Sequence, residues 1–243
     1  MAEKRLLKPG TIRRIAIVGP GLDFANKEAG NDFYPPQTIQ PFAVLDSLLR
    51  LGLADTKSVE IYTLDISSEV NFHVARARKN ALAGQPYIVQ LPWSTSARQS
   101  QEYRNSFVEY WNKLGDQIGV PVPPIPVPSV VPGTQSRAVK IRPDIAKRLT
   151  PVDMNIVYQR TALVPGQAFD VIIGTNIFIY YDAFEQSLAR TNIASMLKPG
   201  GFLFSNDKFP DAVPSGLVAC LDTSLVVARD PDRIDTMFCY EKK

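Results

Sequence analysis

Residues 169–182 read FDVIIGTNIFIYYD, and residues 196–207 read MLKPGGFLFSND. The first stretch opens on a short apolar run with the look of a buried strand, and its alternation sets Ile177, Ile179 and Tyr181 against Phe178 and Tyr180. The intervening AFEQSLARTNIASML reads as a helix. Pro199 and Gly200 then suit the central positions of a turn that feeds the strand FLFSND. Strand, helix, turn and strand in this order predict an α/β sheet with helices on its faces.

Working outward, the amino-terminal half repeats the alternation. RIAIVG (14–19) and VEIYTLD (59–65) read as strands, and PFAVLDSLLRLGL (41–53) as the helix between them. Ser67 and Ser68 supply a start for a helix over EVNFHVARARKNALAG. DMNIVYQRTAL (153–163) reads as a further strand, and the closing SLVVARDPDRIDTMFCYEKK as an antiparallel hairpin around Asp-Pro-Asp. The middle is different. After a short strand-like YIVQLPW, residues 100–119 space Phe107, Trp111, Leu114 and Ile118 as an amphipathic helix, and VPVPPIPVPSVVPG favours extended polyproline. The expectation is a single domain over 1–243 carrying an insertion at 85–150, made of a helix and a Pro-rich segment, that forms a lid, a dimer contact or inert packing.

Composition narrows the functional classes. With 27 basic and 24 acidic residues the net charge is +3, which offers no field for nucleic acid or an anionic membrane. The chain shows no apolar stretch near the roughly 20 residues of a membrane span. It begins with charge rather than a secretory signal, so a cytoplasmic location is expected. Cys220 and Cys239 are too few for a disulfide framework, and reduced thiols are expected. One histidine, His73, leaves no multi-histidine metal site.

The turn after the first strand, GPGLD, places Gly19 and Gly21 where a side chain would keep a ligand from the backbone. A dinucleotide would ask for G-x-G-x-x-G/A and an acid about 20 residues on. Here Phe24 stands at the third glycine's place, Ala25 serves only a looser variant, and Asp65 lies about twice that distance away. Asp65 still ends the second strand, where its carboxylate suits the two hydroxyls of a ribose; the alternative role is a helix cap.

The carboxyl-terminal half resembles class I S-adenosylmethionine-dependent methyltransferases, in which a strand beginning Phe-Asp-Val-Ile leads through a helix to Leu-Lys-Pro-Gly-Gly and another strand. With IAIVGPGLD and IYTLD in order, the resemblance covers about two-thirds of the chain, and Lys-Pro-Gly-Gly is its most specific block. It implies a Rossmann-like methyltransferase fold: a seven-stranded, mostly parallel sheet with an antiparallel last strand and helices on both faces. It also implies S-adenosyl-L-methionine as cofactor. Gly19 and Gly21 would face its methionine part, Asp65 its ribose and Ile66 its adenine; Arg160 and Thr161 would border the adenine amino group, and Thr175 and Asn176 the methyl. Two positions depart from the pattern. Ile17 replaces an acid two residues before the first glycine, and Thr161 replaces an Asp. Asp23 could substitute for the first by meeting the cofactor's amino group, or serve as a helix-start aspartate.

Methyl transfer from a sulfonium is an in-line displacement that needs alignment and exclusion of water more than covalent catalysis. Candidate acceptor-side residues are Asn176, Tyr180, Tyr181, Tyr34 and Gln37; His73 is a poor base candidate. The expected acceptor is a small molecule rather than a protein, with a homodimer possible. The rivals are a catalytically inactive cofactor-binding scaffold of the same fold and a nicotinamide-dependent oxidoreductase.

Overall fold

The computed structural model describes residues 7–23, 33–94, 105–129, 133–164, 166–209, 215–226 and 234–243. In chain order the elements are β1 (Arg14–Val18), α1 (Gln40–Arg50), β2 (Glu60–Asp65), α2 (Ser68–Leu82) and β3 (Tyr87–Ser94). There follow α3 (Asn105–Lys113), β4 (Gly119–Val122), β5 (Thr134–Ile141), α4 (Pro143–Ala146) and β6 (Leu149–Asp153). Last come β7 (Phe169–Gly174), a 3-10 helix (Phe178–Tyr180), α5 (Ala183–Met196), β8 (Leu197–Ser205), β9 (Leu217–Val226) and β10 (Ile234–Lys242). Phe24, Ala25 and the Asp-Pro-Asp of the terminal hairpin lie outside the described residues.

Seven strands form one sheet in the order β6-β2-β1-β7-β8-β10-β9. Pairing is parallel from β6 through β8, and β10 runs antiparallel to both its neighbours. This is the Rossmann-like methyltransferase sheet that the resemblance implied. Strand residues alternate between two cores, as a sheet covered on both faces requires. Ile15, Ile17 and Ile61 pack with Phe42 and Leu45 of α1 and Val74 of α2 on one face. Ala16, Val18 and Leu64 pack with Ala189, Ile193 and Met196 of α5 on the other.

Asp170, the aspartate of FDVII, accepts hydrogen bonds at Oδ2 from the backbone N–H groups of Arg13 (2.6 Å) and Arg14 (2.8 Å), while Lys198 pairs with its Oδ1. It fastens the start of β1 to β7 and to the Lys-Pro-Gly-Gly segment. That segment, Lys198–Gly201, bulges out between the Phe169–Leu197 and Val171–Phe202 pairs, with Gly200 at φ +73°.

The segment 85–150, expected to be an insertion of a helix and a proline run, contains strands as well. Its strands make a second, antiparallel sheet in the order β3-β5-β4. Pro121 is tolerated in β4 because β4 is an edge strand. Val89, Leu91, Leu114, Ile118, Val139 and Ile141 join the α1 and α2 core, and buried Asp46 of α1 accepts the N–H of Gln117 (2.9 Å). Trp93, Phe107 and Trp111 stack in a row at 6.4 and 6.5 Å between ring centroids. The α3 helix stops at Lys113, so Leu114 and Ile118 are buried from the turn beyond it.

Three expectations are corrected. The strand expected over 153–163 is instead β6, ending at Asp153. Asn155 stops it: its Oδ1 accepts the N–H of Val157 (2.9 Å) and a turn follows. Met154, Ile156 and Val157 are apolar because this turn is buried, with Asn192 donating to the carbonyls of Ile156 and Val157. Likewise β7 ends at Gly174 rather than continuing through Tyr181. Phe178 is fully buried against Phe209, and a Cβ at Gly174 would come within 2.6 Å of its ring. The thiols are also not reduced: Cys220 and Cys239 form a disulfide across the β9–β10 hairpin, their Cα atoms 5.5 Å apart. A register shift next to Cys239 brings Cys220 beside it.

Candidate functional site

In an open parallel sheet, ligands bind outside the carboxyl ends of the strands where the strand order reverses. Here that point lies between β1 and β7. The ends of β1, β2, β6 and β7 carry Gly19 to Gly21, Asp65, Asp153 and Thr175 respectively.

Both glycines of the first turn have left-handed backbones, φ +61° at Gly19 and +63° at Gly21, but for different reasons. A Cβ at Gly19 would come within 2.7 Å of Ile177 Cδ1, so that side chain would have to shift, and the backbone would still have to stay left-handed. Among the described residues, a Cβ at Gly21 would meet nothing within 4 Å. Gly21 therefore borders open space, and Gly19 is held by its N–H bond to the Leu64 carbonyl (2.8 Å).

Asp23 extends the turn. Its backbone N–H donates to the Gln37 carbonyl (2.6 Å), and its Oδ2 accepts from the N–H of Ile39, the N-cap residue of α1. The helix-start role is thus occupied by one carboxylate oxygen. Burial raises the Asp23 carboxyl from 3.8 to about 6, partly offset by the Ile39 N–H. Gln40, the first residue of α1, donates from Nε2 to Thr175 Oγ1 (2.9 Å), which ties that helix start to the end of β7. Ile17, standing where the family carries an acid, is fully buried in β1.

At the end of β2, Asp65 Oδ1 accepts the N–H of Ser67 (2.8 Å), and Ser67, not Asp65, caps α2. Ile66 beside it is 62% exposed, a large apolar side chain left open at the strand end. Asp65 and Asp153 are register partners on neighbouring strands. Asp153 is a strand-end acid that the sequence reading did not single out. Arg160 and Thr161 were expected at this strand end, but both are exposed beyond the turn that follows β6, and the Thr161 N–H meets Met196 Sδ (3.4 Å). The available signal was the similarity of the short runs IYTLD and LTPVD, each ending in an apolar residue and an acid.

Beyond β7, Asn176 is exposed at φ +56° and exchanges two hydrogen bonds with Asn206. Its N–H donates to Asn206 Oδ1 (2.7 Å) and its Oδ1 accepts from Asn206 Nδ2 (2.6 Å), clamping the ends of β7 and β8. Tyr180 is 75% exposed. Tyr181 is half-buried, and its hydroxyl is pushed up by burial, then by the charges of Glu185 and Asp65. Tyr181 thus stands within electrostatic reach of Asp65, while Tyr180 faces solvent. Tyr34 is buried against Phe33. Gln37 is fully engaged, its Nε2 donating to the Gln90 carbonyl (2.8 Å) and its Oε1 accepting the Gln90 N–H (2.7 Å). His73 bonds Tyr87 through Nε2 (2.7 Å), and burial lowers its pKa, with Arg76 acting in the same direction and Glu69 against it.

No protein-family profile matches the chain, and no curated protein sequence matches it. Among solved structures, it is similar to the N-methyltransferase NodS of Bradyrhizobium japonicum WM9, at 12% identity and TM-score 0.43 over 96% of this chain and 87% of that one. It is also similar to a TehB-like SAM-dependent methyltransferase of Corynebacterium glutamicum, at 10% identity and TM-score 0.42 over 97% and 83%. A third is the magnesium protoporphyrin IX methyltransferase of Synechocystis PCC 6803 with bound SAM, at 11% identity and TM-score 0.41 over 100% and 74%. At these identities, function has to be argued from the residues at the strand ends.

Proposed function

We propose that this protein binds S-adenosyl-L-methionine at the strand ends and transfers its methyl group to a small-molecule acceptor. The observation that carries the reading is the row of groups on consecutive strand ends: an open glycine turn at Gly21, then Asp65, then Asp153. Gly21 leaves backbone accessible to the methionine part. Asp65 accepts from the ribose hydroxyls, and Ile66 packs on the adenine. Asp153 takes the place of Arg160 and Thr161 as the acceptor for the adenine amino group, which supplies the acid the motif had seemed to lack. Thr175 and Asn176 border the transferring methyl.

The cofactor carries its own activation, because the leaving group is a neutral thioether. The protein's part is to hold the acceptor atom in line with the methyl and to keep water out. The Asn176–Asn206 clamp and the Gln40–Thr175 bond make that wall rigid. Asp23 Oδ1 has no partner among the described residues and can meet the cofactor's ammonium while Oδ2 caps α1.

Isothermal titration with S-adenosylmethionine, S-adenosylhomocysteine and the nicotinamide dinucleotides tests this. Adenosyl binding that is weakened by Asp65→Ala, Asp153→Ala and Gly21→Val is expected. Dinucleotide binding alone would overturn the reading in favour of an oxidoreductase. Adenosyl binding without methyl transfer to any acceptor class would favour the inactive scaffold, a rival that buried Ile17 motivates.

A further inference from the structure

The molecule has a second concave site, away from the strand ends. It is a cavity of about 460 Å³ between α2, β3, the loop 35–37 and the proline run after β4. We propose that it binds a small organic acid with a flat apolar body, the carboxylate held by His73, Arg76, Asn80 and Gln90.

The described polar groups lining it are neutral or cationic. His73, Arg76 and Asn80 fall on one face of α2, at steps of three and four. The Tyr87 hydroxyl accepts the backbone N–H of Thr38 (2.9 Å) and bonds His73 Nε2 (2.7 Å), and the tautomer that suits a bound carboxylate is the one in which the hydroxyl donates to Nε2. A neutral imidazole so bonded carries its proton on Nδ1. Burial lowers the His73 pKa and so favours that neutral form. Gln90 is 94% buried by its 6% exposure, and its Oε1 accepts the N–H of Ile125 (3.0 Å), which orients Nε2 as a donor. Among the described residues, neither Gln90 Nε2 nor His73 Nδ1 has a hydrogen-bond partner. Two donors on side chains nine-tenths buried, with the exposed Arg76 guanidinium and Asn80 amide, therefore line one cavity, and there is no Asp or Glu among the described residues of its lining.

Such a set selects an acceptor-only group, and charge-assisted bonds make a carboxylate the best fit. The remaining walls are apolar and rigid: Pro36, Pro86, Pro123, Ile88 and Ile125. Rings stack on such surfaces without loss of side-chain freedom. The cavity also touches the strand-end site through one residue. Gln37 lines it, and the Gln37 carbonyl receives the N–H of Asp23, two residues after Gly21. The site stands independently of the methyl-transfer reading.

His73 is the chain's only histidine, so one imidazole resonance reports on the cavity. The experiment titrates the untagged full chain, labelled at histidine, with 2-naphthoate and separately with uncharged 2-naphthamide. Naphthoate is expected to shift the His73 signal saturably at sub-millimolar concentration and to bind about tenfold more tightly than the amide. Arg76→Gln should abolish that preference. Gln90→Glu keeps an acceptor for Ile125 and should repel the carboxylate, while Lys79→Gln, on the same helix but outside the cavity, should change nothing. An unmoved His73 signal, equal affinities for acid and amide, or a preference that survives Arg76→Gln would each overturn the proposal. Displacement of naphthoate by S-adenosylhomocysteine would also overturn it, by assigning the ligand to the strand-end site.

Discussion

Asp65 and Asp153 are partners in the last rung of the β2–β6 pair, so two carboxylates leave the same end of the sheet on adjacent strands. Neighbouring strands lie only about 4.8 Å apart, so one ligand can bring donors to both. Asp65→Ala and Asp153→Ala should each weaken S-adenosylhomocysteine binding by about ten- to a hundredfold, the worth of a hydrogen bond to a charged acceptor. Arg160→Ala and Thr161→Ala should leave it within about twofold. Calorimetry on the four variants separates the two strand-end assignments.

The two glycines of the first turn should respond differently to alanine. Gly19→Ala meets Ile177 Cδ1 at 2.7 Å as well as a left-handed backbone, so it should lower stability more than Gly21→Ala. The backbone strain alone costs about 1–2 kcal/mol at either position. Trimming Ile177 to alanine should recover part of the Gly19→Ala loss and none of the Gly21→Ala loss. Denaturant unfolding of the double-mutant cycle reads this out, and ligand affinity should fall most for Gly21→Ala.

Asp23 gives a pH signature. Its native pKa of about 6 stands above the unfolded 3.8, so the native state holds the proton more tightly. Its contribution is then most favourable below about pH 4 and declines as pH rises to about 6, after which it is constant. Asp23→Asn keeps an oxygen for the Ile39 N–H and removes the charge. Relative to the parent, that variant should gain roughly 2–3 kcal/mol between those two pH values. A stability difference that does not vary with pH would show that the carboxyl titrates normally.

The Cys220–Cys239 crosslink spans a sequence separation of 19. Closing a loop of that size is worth about 3 kcal/mol in the chain-entropy account. Dithiothreitol, or Cys220→Ser with Cys239→Ser, should lower the unfolding midpoint accordingly. Mass spectrometry of the alkylated, unreduced protein should find no free thiol.

The framework was legible where the physics is local. RIAIVG, VEIYTLD and FDVIIG are runs that can only be buried strands, and Asp182 with Glu185 forms a capping box where the last long helix was expected. Errors arose where apolar residues are buried without being in strands. Met154, Ile156 and Val157 imitate a strand because their turn packs beneath Asn192, and Ile177 and Phe178 imitate one because a 3-10 helix drives Phe178 into the core. The first error also moved the expected strand end from Asp153 to Arg160 and Thr161, whereas Thr175 and Asn176 keep their place just beyond β7. The disulfide was hidden for a different reason, since it depends on a register shift beside Cys239. The strand β5 starts directly after the Pro132-Gly133 that closes the proline run, and its partner β4 contains a proline, so neither stood out from that run.

One feature of the insertion bears on how copies of this chain behave together. β3 lies at the margin of the three-stranded sheet, where unpaired main-chain groups invite another strand. At Gln90 the invitation is already answered: the carboxamide of Gln37 offers one N–H and one oxygen, in the same pattern a neighbouring strand would present. A single side chain thus acts as a surrogate strand and blocks template-like pairing at the middle of β3. Gln37→Leu would leave that part of the margin open to strand addition.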